Sequence, residues 1–344
     1  MSIFYIDTLF GFGLGDKTQA YQRKGHVHTL GEQTSLKIIL LAGTDIGVLT
    51  LKGLMKRSDL AEIVGVVAAD DLVKKTVQDA NLNLLTCEDI NSESFIYKVK
   101  ELQAELLVNV IFLKKYRSKI LQTPRYGVAN VHPSLLPFYR GRDCIRWAMI
   151  CGEKHVGITV HRMDESLDTG PIIEQEKIPV GPDDYFLDVR ERVKVSYPTV
   201  ILQAIQNLSS IKFQVKTQTL EEGTYFPHRS REDGKINWAD TSLNIYNLVR
   251  ASCEPGFYAY THLGERKLYI SKCNLRPGNL YARSHSGNSQ IWGRALDYDH
   301  YDKTGKSMLI GTGDGAISIE KCGFEDASAD EPSVDKLKRG DKLS

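Results

Sequence analysis

The chain has 344 residues, of which 42% are hydrophobic and 25% are charged. This composition is ordinary for a globular protein, and the length is sufficient for two domains. The formal net charge of +1 excludes a protein that binds polyanions through its overall charge. The six cysteines lack CxxC or zinc-finger spacing, and no apolar run has transmembrane length. We therefore expect a reduced, cytoplasmic protein with no bound metal and no membrane span.

The first 36 residues stand apart from the rest of the chain. Residues 10–15 are rich in glycine, and residues 16–35 are polar. The glycines do not predict a phosphate-binding loop, because no strand precedes them in a βαβ unit. We interpret residues 1–36 as an N-terminal extension.

From residue 37 onwards, predicted strands and helices alternate. The apolar run at residues 37–43 is typical of a parallel strand that is buried on both faces. Similar patterns predict further strands at residues 63–68, 106–112, 128–132 and 158–161, and helices at residues 48–57, 95–102, 144–151 and 185–208. The alternation predicts an α/β fold with a doubly wound sheet, in which ligands bind at the carboxyl ends of the strands.

The predicted strand at residues 128–132 carries two polar side chains. Side chains alternate in direction along a strand, so Asn130 and His132 leave the same face. Pro133 then ends the strand, because it has no N–H for the ladder. Asp168 lies further on, at a turn between two apolar runs. An Asn-x-His pair alone is also compatible with an ordinary polar strand end, so the interpretation depends on all three residues together.

Four motifs in a fixed order surround these residues. They read Asn-x-His-Pro-Ser-Leu-Leu-Pro from Asn130, Tyr-Arg-Gly from Tyr139, Gly-x-Thr-x-His-x-Met-Asp from Gly157, and Asp-Thr-Gly from Asp168. From about residue 37 to about residue 324, the chain resembles the folate-dependent formyltransferases. The resemblance implies that Asn130, His132 and Asp168 are the catalytic triad and that N10-formyltetrahydrofolate is the cosubstrate.

Formyl transfer to an amine is an acyl transfer, in which an oxyanion develops on the formyl oxygen. Asn130 offers an amide donor to that oxygen, and a protonated His132 offers a second donor. Histidine can also move a proton near neutral pH, as both the amine and the departing folate nitrogen require. A carboxylate at Asp168 should favour the imidazolium form and fix the ring. Neither a covalent intermediate nor a metal is needed.

The resemblance places the folate against the loop that follows the strand at residues 106–112. It implies main-chain contacts from Lys114 and Tyr116, and an opposite wall that includes Asp164 and Glu165. Relatives often have Ile-Leu-Pro where this chain has Lys-Tyr-Arg, so the side-chain walls should differ. A solvated turn is an equally good interpretation of the Lys114 side chain.

Two arginines and a second histidine lie close to the triad in the sequence. Arg140 and Arg142 are candidate substrate-binding residues, because arginine forks suit phosphates and carboxylates. One of them could instead hold the folate glutamate, and a structural ion pair is equally compatible with the pattern. We interpret His161 as a structural residue that is hydrogen-bonded beneath the pocket.

Residues 223–238 mark the predicted joint between two domains. They resemble the Tyr-x-Pro-Arg-Arg-x-x-Glu-Asp-Gly-x-Ile-Asp-Trp joint of formyltransferases that carry a second domain. A helix at residues 242–252 and regular short strands follow, which predict a small barrel, and the resemblance implies that it is OB-like. The predicted organisation is an extension (residues 1–36), a Rossmann-like catalytic domain (37–225), an OB-like domain (226–326) and a loose charged tail (327–344).

Three interpretations of the activity stay open. The acceptor is a nucleotide-linked amino-deoxy sugar for surface polysaccharide such as lipopolysaccharide, or it is methionyl-tRNA, or the chain is a catalytically silent folate-binding module. The complete triad disfavours the third. A tRNA enzyme needs clustered basic residues. Residues 69–79 are short and mixed in charge where such enzymes carry a basic loop, and the C-terminal half shows no evident basic patch with interleaved aromatic residues. We therefore favour a small nucleotide-sugar partner over nucleic acid, and a homodimer is left open.

Overall fold

The computed structural model describes residues 35–210, 213–253, 256–275, 291–298, 307–325, 334 and 337–344. Residues 1–34 of the predicted extension lie outside this part of the chain, as does Gln290, at which one strand was predicted to begin. Residues 34–344 form one compact unit, within which both predicted domains pack together. The boundaries between the domains remain predictions.

The described residues form helices and strands in the following order. The helices are α1 (Thr44–Met55), α2 (Asp71–Asp79), α3 (Glu93–Glu101), α4 (Ser118–Gln122), α5 (Cys144–Ile150), α6 (Phe186–Ser209) and α7 (Ser242–Ala251). The strands are β1 (Leu36–Ala42), β2 (Ala61–Ala68), β3 (Leu106–Val110), β4 (Val128–His132), β5 (Arg140–Gly141), β6 (His155–Arg162), β7 (Ile172–Pro179), β8 (Tyr225–Phe226), β9 (Ala259–Leu263), β10 (Arg266–Leu275), β11 (Ala295–Tyr298), β12 (Met308–Gly311) and β13 (Ala316–Phe324). Every helix among the described residues is too short or too polar to cross a membrane.

The first sheet has six strands in the order β2-β1-β3-β4-β6-β7. β1 pairs in parallel with β2 and β3, and β3 pairs in parallel with β4, as the continuous apolar runs predict. β6 and β7 run antiparallel to their neighbours, so the sheet is mixed at that edge. The predicted Rossmann-like α/β fold is confirmed, with an antiparallel edge that the sequence did not indicate.

Apolar side chains cover both faces of this sheet. Leu40 of β1 packs into a cluster with α1, α5 and α6, and the next residue, Leu41, packs into a second cluster with α3 on the opposite face. Full burial of such a side chain contributes about 1.5–3 kcal/mol. Gly53 lets α1 approach α6 closely, because a Cβ there would lie 2.4 Å from the Cβ of Pro198. The two layers of helices therefore hold the strand ends in fixed positions.

The segment that follows β2 is more ordered than its sequence suggests. Residues 69–79, compared above with a basic loop, contain the helix α2. The carboxylate of Asp70 caps this helix by accepting a hydrogen bond from the N–H of Val73 at 2.9 Å. Val73 and Val77 are its two buried residues. Two apolar positions in a charged segment were too few to predict an amphipathic helix.

A second sheet, of five antiparallel strands in the order β11-β12-β13-β10-β9, follows the joint. α7 packs against it through Ile245, Tyr246 and Val249, in a cluster that includes Trp238. Strands are present where the sequence predicts them at residues 258–261, 268–271, 308–311 and 316–320, whereas the strand predicted at residues 290–295 is replaced by β11, which begins at Ala295. Closure of this sheet into an OB-like barrel remains a prediction.

The described end of the chain is packed, although residues 327–344 were predicted as a loose tail. Leu337 and Leu343 are buried in the core of the second sheet. Leu343 also forms an isolated β-bridge with Leu263, and Lys342 forms one with Arg294. Charged residues surround these two leucines in the sequence, so composition alone did not indicate the contact.

Candidate active site

Three neighbouring strands carry the amide and imidazole groups of the site at one level. In the register of the sheet, Asn109 on β3 lies opposite Asn130 on β4, and Asn130 lies opposite His161 on β6. Side chains at paired positions of adjacent strands project from the same face. His132, two residues after Asn130, emerges on that face as well. The sheet register therefore brings together residues that are distant in the sequence.

Asp168 reaches this place from the turn between β6 and β7. Its backbone has a φ of 56°, a left-handed conformation that is uncommon outside glycine. The side-chain amide of Gln218 holds the turn by donating to the main-chain oxygens of Asp168 at 3.0 Å and Gly170 at 2.6 Å. Gly170 has no room for a side chain, since a Cβ would lie 1.8 Å from the carbonyl oxygen of Arg162. Close packing of the turn thus explains the glycine of the Asp-Thr-Gly motif.

The structure brings together all three residues that were predicted as the triad. His132 Nδ1 lies 3.5 Å from Asp168 Oδ1, and the N–H of Gly141 donates to Asp168 Oδ2 at 3.0 Å. Only 5% and 6% of the two side chains are exposed. A separation of 3.5 Å is long for a direct N–H···O hydrogen bond, but it allows a strong charge interaction once the ring is protonated. The catalytic roles of Asn130, His132 and Asp168 remain predictions.

Two neighbouring groups determine which nitrogen of neutral His132 carries the hydrogen. The carbonyl oxygen of Tyr139 lies 3.0 Å from Nε2, and Asp168 Oδ1 lies 3.5 Å from Nδ1. Both oxygens can only accept, and the shorter contact favours Nε2 as the position of the hydrogen in the neutral ring. Cys144 Sγ lies 3.3 Å from the same nitrogen, and burial raises the pKa of this thiol to about 12, which keeps it uncharged. Nδ1, which faces Asp168, is therefore the basic atom of the ring.

Burial decides the charge of His132. Loss of water lowers the pKa of the ring below its ordinary value, and neither the charge of Asp168 nor the hydrogen bond to Tyr139 restores it. Burial also opposes ionisation of Asp168, but His161, whose Nε2 lies 3.6 Å from Asp168 Oδ1, the charge that His132 can carry and the N–H of Gly141 together lower the pKa of this carboxyl. These directions favour a neutral imidazole beside a carboxylate. As expected, Asp168 raises the pKa of His132, but burial of the ring outweighs this effect.

The Asn130 side chain is held at both ends. Its Oδ1 accepts a hydrogen bond from Asn109 Nδ2 at 3.0 Å, and its Nδ2 lies 3.2 Å from His161 Nε2. The other ring nitrogen of His161 lies 3.2 Å from the main-chain oxygen of Arg162. These contacts agree with the interpretation of His161 as a structural residue beneath the pocket. Asn109 was not predicted, because its only sequence signal is one polar residue inside an apolar strand.

A cavity of about 490 Å³ lies beside the turn that carries Asp168. Leu121 of α4 and Met163 contribute apolar surface, while Asp164 and Glu165 contribute carboxylates. A volume of this size is typical of a small-molecule site. Two of the four predicted folate-binding residues, Asp164 and Glu165, therefore line this cavity, whose lining includes none of the triad residues.

The other two predicted folate-binding residues, Lys114 and Tyr116, lie between β3 and α4 and are not among the lining residues of this cavity. Lys114 is exposed, whereas Tyr116 is buried with a hydroxyl group that has no hydrogen-bond partner among the described residues. The Asn91 side chain anchors this loop by donating to the oxygen of Lys115 at 2.9 Å and accepting from the N–H of Arg117 at 2.8 Å. Main-chain contacts from this loop to folate remain a prediction.

The two candidate substrate-binding arginines differ in their surroundings. The guanidinium of Arg140 is partly buried and lies 3.5 Å from the main-chain oxygen of Thr224 and 3.4 Å from that of Leu220. Arg142 is exposed, and its side chain has no hydrogen-bond or ionic partner in the part of the chain that the structure describes. Arg140 therefore helps to attach the joint, while Arg142 presents its guanidinium to solvent.

This arrangement can move a proton and stabilise an oxyanion at one point. A neutral imidazole whose basic nitrogen lies 3.5 Å from a carboxylate can accept a proton from an attacking nucleophile and hold the resulting charge. An amide donor with a fixed orientation can stabilise negative charge that develops on a carbonyl oxygen. The set suits an acyl transfer to an amine.

Comparison with known sequences gives two matched segments. Residues 38–205 match the formyl transferase family, and residues 229–330 match the C-terminal domain of formyl transferases. The chain is 34% identical to a methionyl-tRNA formyltransferase of Thermodesulfovibrio yellowstonii over 254 residues, which cover 70% of this chain and 81% of that protein.

Solved structures share the fold. The sugar 3N-formyl transferase WlaRD, in the presence of dTDP and 5-N-formyl-THF, has a TM-score of 0.59 at 19% identity, covering 85% of this chain and 99% of WlaRD. HypX from Aquifex aeolicus, in complex with tetrahydrofolic acid, has a TM-score of 0.55 at 16% identity, covering 84% of this chain. The present chain spans only 44% of the length of HypX. By its two matched segments and its sequence relative, the chain belongs to the formyl transferase family.

Proposed function

We propose that the protein transfers a formyl group from N10-formyltetrahydrofolate to the amino group of a nucleotide-linked amino-deoxy sugar. The observation that carries the proposal is the convergence of Asn130, His132 and Asp168 in one buried site of a formyl transferase chain. The product is an N-formylated sugar of the kind used in surface polysaccharides.

The folate supplies the formyl group, and the protein side chains manage charge and protons. His132 Nδ1 accepts the proton that the amine loses as its nitrogen bonds to the formyl carbon. Asp168, 3.5 Å away, stabilises the resulting imidazolium. Asn130 Nδ2 donates to the formyl oxygen while it carries negative charge. His132 then returns the proton to the folate nitrogen as the bond between that nitrogen and the formyl carbon breaks.

The composition of the cavity lined by Asp164 and Glu165 suits a pterin ring. Leu121 and Met163 suit the apolar faces of the ring, and carboxylates suit its N–H donors. Asp164 Oδ1 already accepts from the N–H of Ser166 at 2.9 Å and from the hydroxyl of Thr169 at 2.7 Å, so Asp164 Oδ2 and Glu165 are the oxygens left for a ligand. Folate derivatives in the similar WlaRD and HypX structures support the same ligand class.

Charge and local structure favour a small acceptor. α2 occupies the place where a tRNA enzyme needs a basic loop, and its charged residues are two aspartates and two lysines. The exposed guanidinium of Arg142 suits one phosphate group of a nucleoside diphosphate. WlaRD, which shares the fold, acts on a sugar and was determined with dTDP. These features support the nucleotide sugar.

Methionyl-tRNA is the second candidate. The observation that favours it is the relative from Thermodesulfovibrio yellowstonii, a methionyl-tRNA formyltransferase that is 34% identical to this chain over 254 residues. On the hairpin of β9 and β10, Lys267 Nζ lies 4.0 Å from the ring centre of Tyr260, but Tyr260 is buried and its hydroxyl donates to Glu232, so this contact adds no support for nucleic acid.

One paired assay separates the candidates. The purified protein is given N10-formyltetrahydrofolate with either a panel of nucleotide-linked amino sugars or charged initiator methionyl-tRNA, at one stated salt concentration. We expect a mass increase of one formyl group on an amino sugar and none on methionyl-tRNA. The reverse result would establish the second candidate. No transfer in either arm, with folate still bound, would indicate the silent folate-binding module.

A further inference from the structure

The catalytic amide Asn130 belongs to a chain of hydrogen bonds that runs across three strands. It begins at the main-chain N–H of Phe112, which donates to Asn109 Oδ1 at 3.0 Å. Asn109 Nδ2 donates to Asn130 Oδ1 at 3.0 Å, and Asn130 Nδ2 lies 3.2 Å from His161 Nε2. It ends at the carbonyl oxygen of Arg162, 3.2 Å from His161 Nδ1. Both ends are main-chain groups, one of which can only donate and the other only accept.

These two ends determine the direction of every bond between them. If Asn130 were rotated so that its oxygen faced His161, its nitrogen would face Asn109, which would then have to present its own oxygen to Asn130. Asn109 Nδ2 would in turn face the N–H of Phe112, and two donors would meet. Asn109 is 6% exposed, so water cannot easily relieve such a conflict. At the other end, an acceptor at Arg162 requires the hydrogen of neutral His161 on Nδ1.

We propose that Asn109 is a positioning residue that sets the orientation of the catalytic amide. With Asn109 in place, Asn130 directs Nδ2, and not Oδ1, away from β3 and towards His161, and the second hydrogen of Nδ2 is left for the formyl oxygen. With the opposite orientation, Asn130 presents an oxygen that repels the developing oxyanion. The inference rests on the proposed function and adds a residue from β3 that acts only through Asn130.

A purely local role for Asn109 is the competing explanation. Ile111, two residues later, has a φ of 59°, which is strained for a β-branched residue, and the bond from Phe112 to Asn109 Oδ1 supports this turn. Asn109→Asp separates the two roles. The aspartate keeps an oxygen for the N–H of Phe112 but has no donor for Asn130.

The first test measures kinetics in a double-mutant cycle. Asn109→Asp should lower kcat for formyl transfer at least 10-fold with little change in KM for the folate. Asn109→Leu, which introduces no buried charge, should lower kcat as well. In an Asn130→Ala background, neither change should lower kcat further, because its target is gone. Thr50→Val is a matched control, since Thr50 is fully buried and its hydroxyl has no partner among the described residues; its kcat should equal that of the wild type.

The second test needs no activity. ¹⁵N NMR of histidine-labelled wild-type protein, without folate, should show His161 as the Nδ1–H tautomer, and Asn109→Asp should change that signal. A wild-type His161 with its hydrogen on Nε2, a wild-type kcat in Asn109→Asp, or the same loss of kcat with and without Asn130 would each overturn the proposal. Wild-type turnover in Asn130→Ala alone would instead refute the mechanism under the proposed function, and the NMR result would still decide the orientation.

Discussion

Replacement of Asp168 by asparagine tests whether the charge of Asp168 stabilises the protonated ring of His132. The substitution keeps the size of the side chain and an oxygen for the N–H of Gly141, but it removes the charge that faces His132 Nδ1 at 3.5 Å. At that distance, and with an effective dielectric constant of about 20, two unit charges attract by about 5 kcal/mol. The amide dipole retains part of this stabilisation, so about 3–4 kcal/mol of the stabilisation of the imidazolium should be lost.

A loss of that size corresponds to a decrease in kcat of about 10²–10³-fold. The pKa of His132 should also fall further, because the charge of Asp168 is the main influence that raises it. The acid limb of the profile of kcat/KM against pH should therefore lie below the ordinary histidine pKa of about 6.5 in the wild type and move to still lower pH in Asp168→Asn.

The assay follows tetrahydrofolate release between about pH 4.5 and 9 at subsaturating and at saturating acceptor, which gives kcat/KM and kcat at each pH. Asp59→Asn is a suitable control, because it removes one negative charge from an exposed surface pair with Arg57 and should leave the profile unchanged. An Asp168→Asn protein with wild-type kcat and an unmoved acid limb would refute the reasoning, since the proton would then be handled by another group.

Four further substitutions test separate parts of the structure. Burial lowers the pKa of His132 in the folded protein, so the unfolded chain takes up that proton first as the pH falls below about 6.5, and the free energy of unfolding of the wild type should decrease there. The free energy of unfolding of His132→Gln should decrease less, as measured by denaturant unfolding across about pH 5–8. Arg142→Ala should raise KM for the nucleotide sugar several-fold without a change in melting temperature. Arg140→Ala should lower the melting temperature, because it loses contacts with the joint. Equal effects of the two variants on KM would contradict the assignment of Arg142 as the phosphate-binding arginine. Gly170→Ala should destabilise the protein by about 1–3 kcal/mol or more and abolish transfer, because its Cβ would overlap the carbonyl oxygen of Arg162; a stable, active variant would show that the turn can move.

The sequence alone determined the features that depend on local backbone geometry. Alternation along a strand of five residues was sufficient to place Asn130 and His132 on one face, and Pro133 marked the end of that strand. The Asp-Thr-Gly motif located the turn of Asp168. This turn needs an aspartate with a left-handed backbone and a glycine at a position without room for a side chain, and both requirements fall on residues close together in the sequence. The continuous apolar runs predicted the parallel core of the first sheet, because a parallel strand that is buried on both faces needs apolar residues at every position.

Only the tertiary structure decided which groups surround those residues. The charge of His132 depends on how completely the ring is buried, and the position of its hydrogen depends on the carbonyl oxygen of Tyr139 seven residues away. Asn109 joined the site through the register between β3 and β4, which no single segment specifies. Leu343 is buried because the end of the chain pairs with β9. In each case, the deciding contact joins segments that are distant in the sequence, and the residue pattern of one segment does not indicate which other segment it contacts.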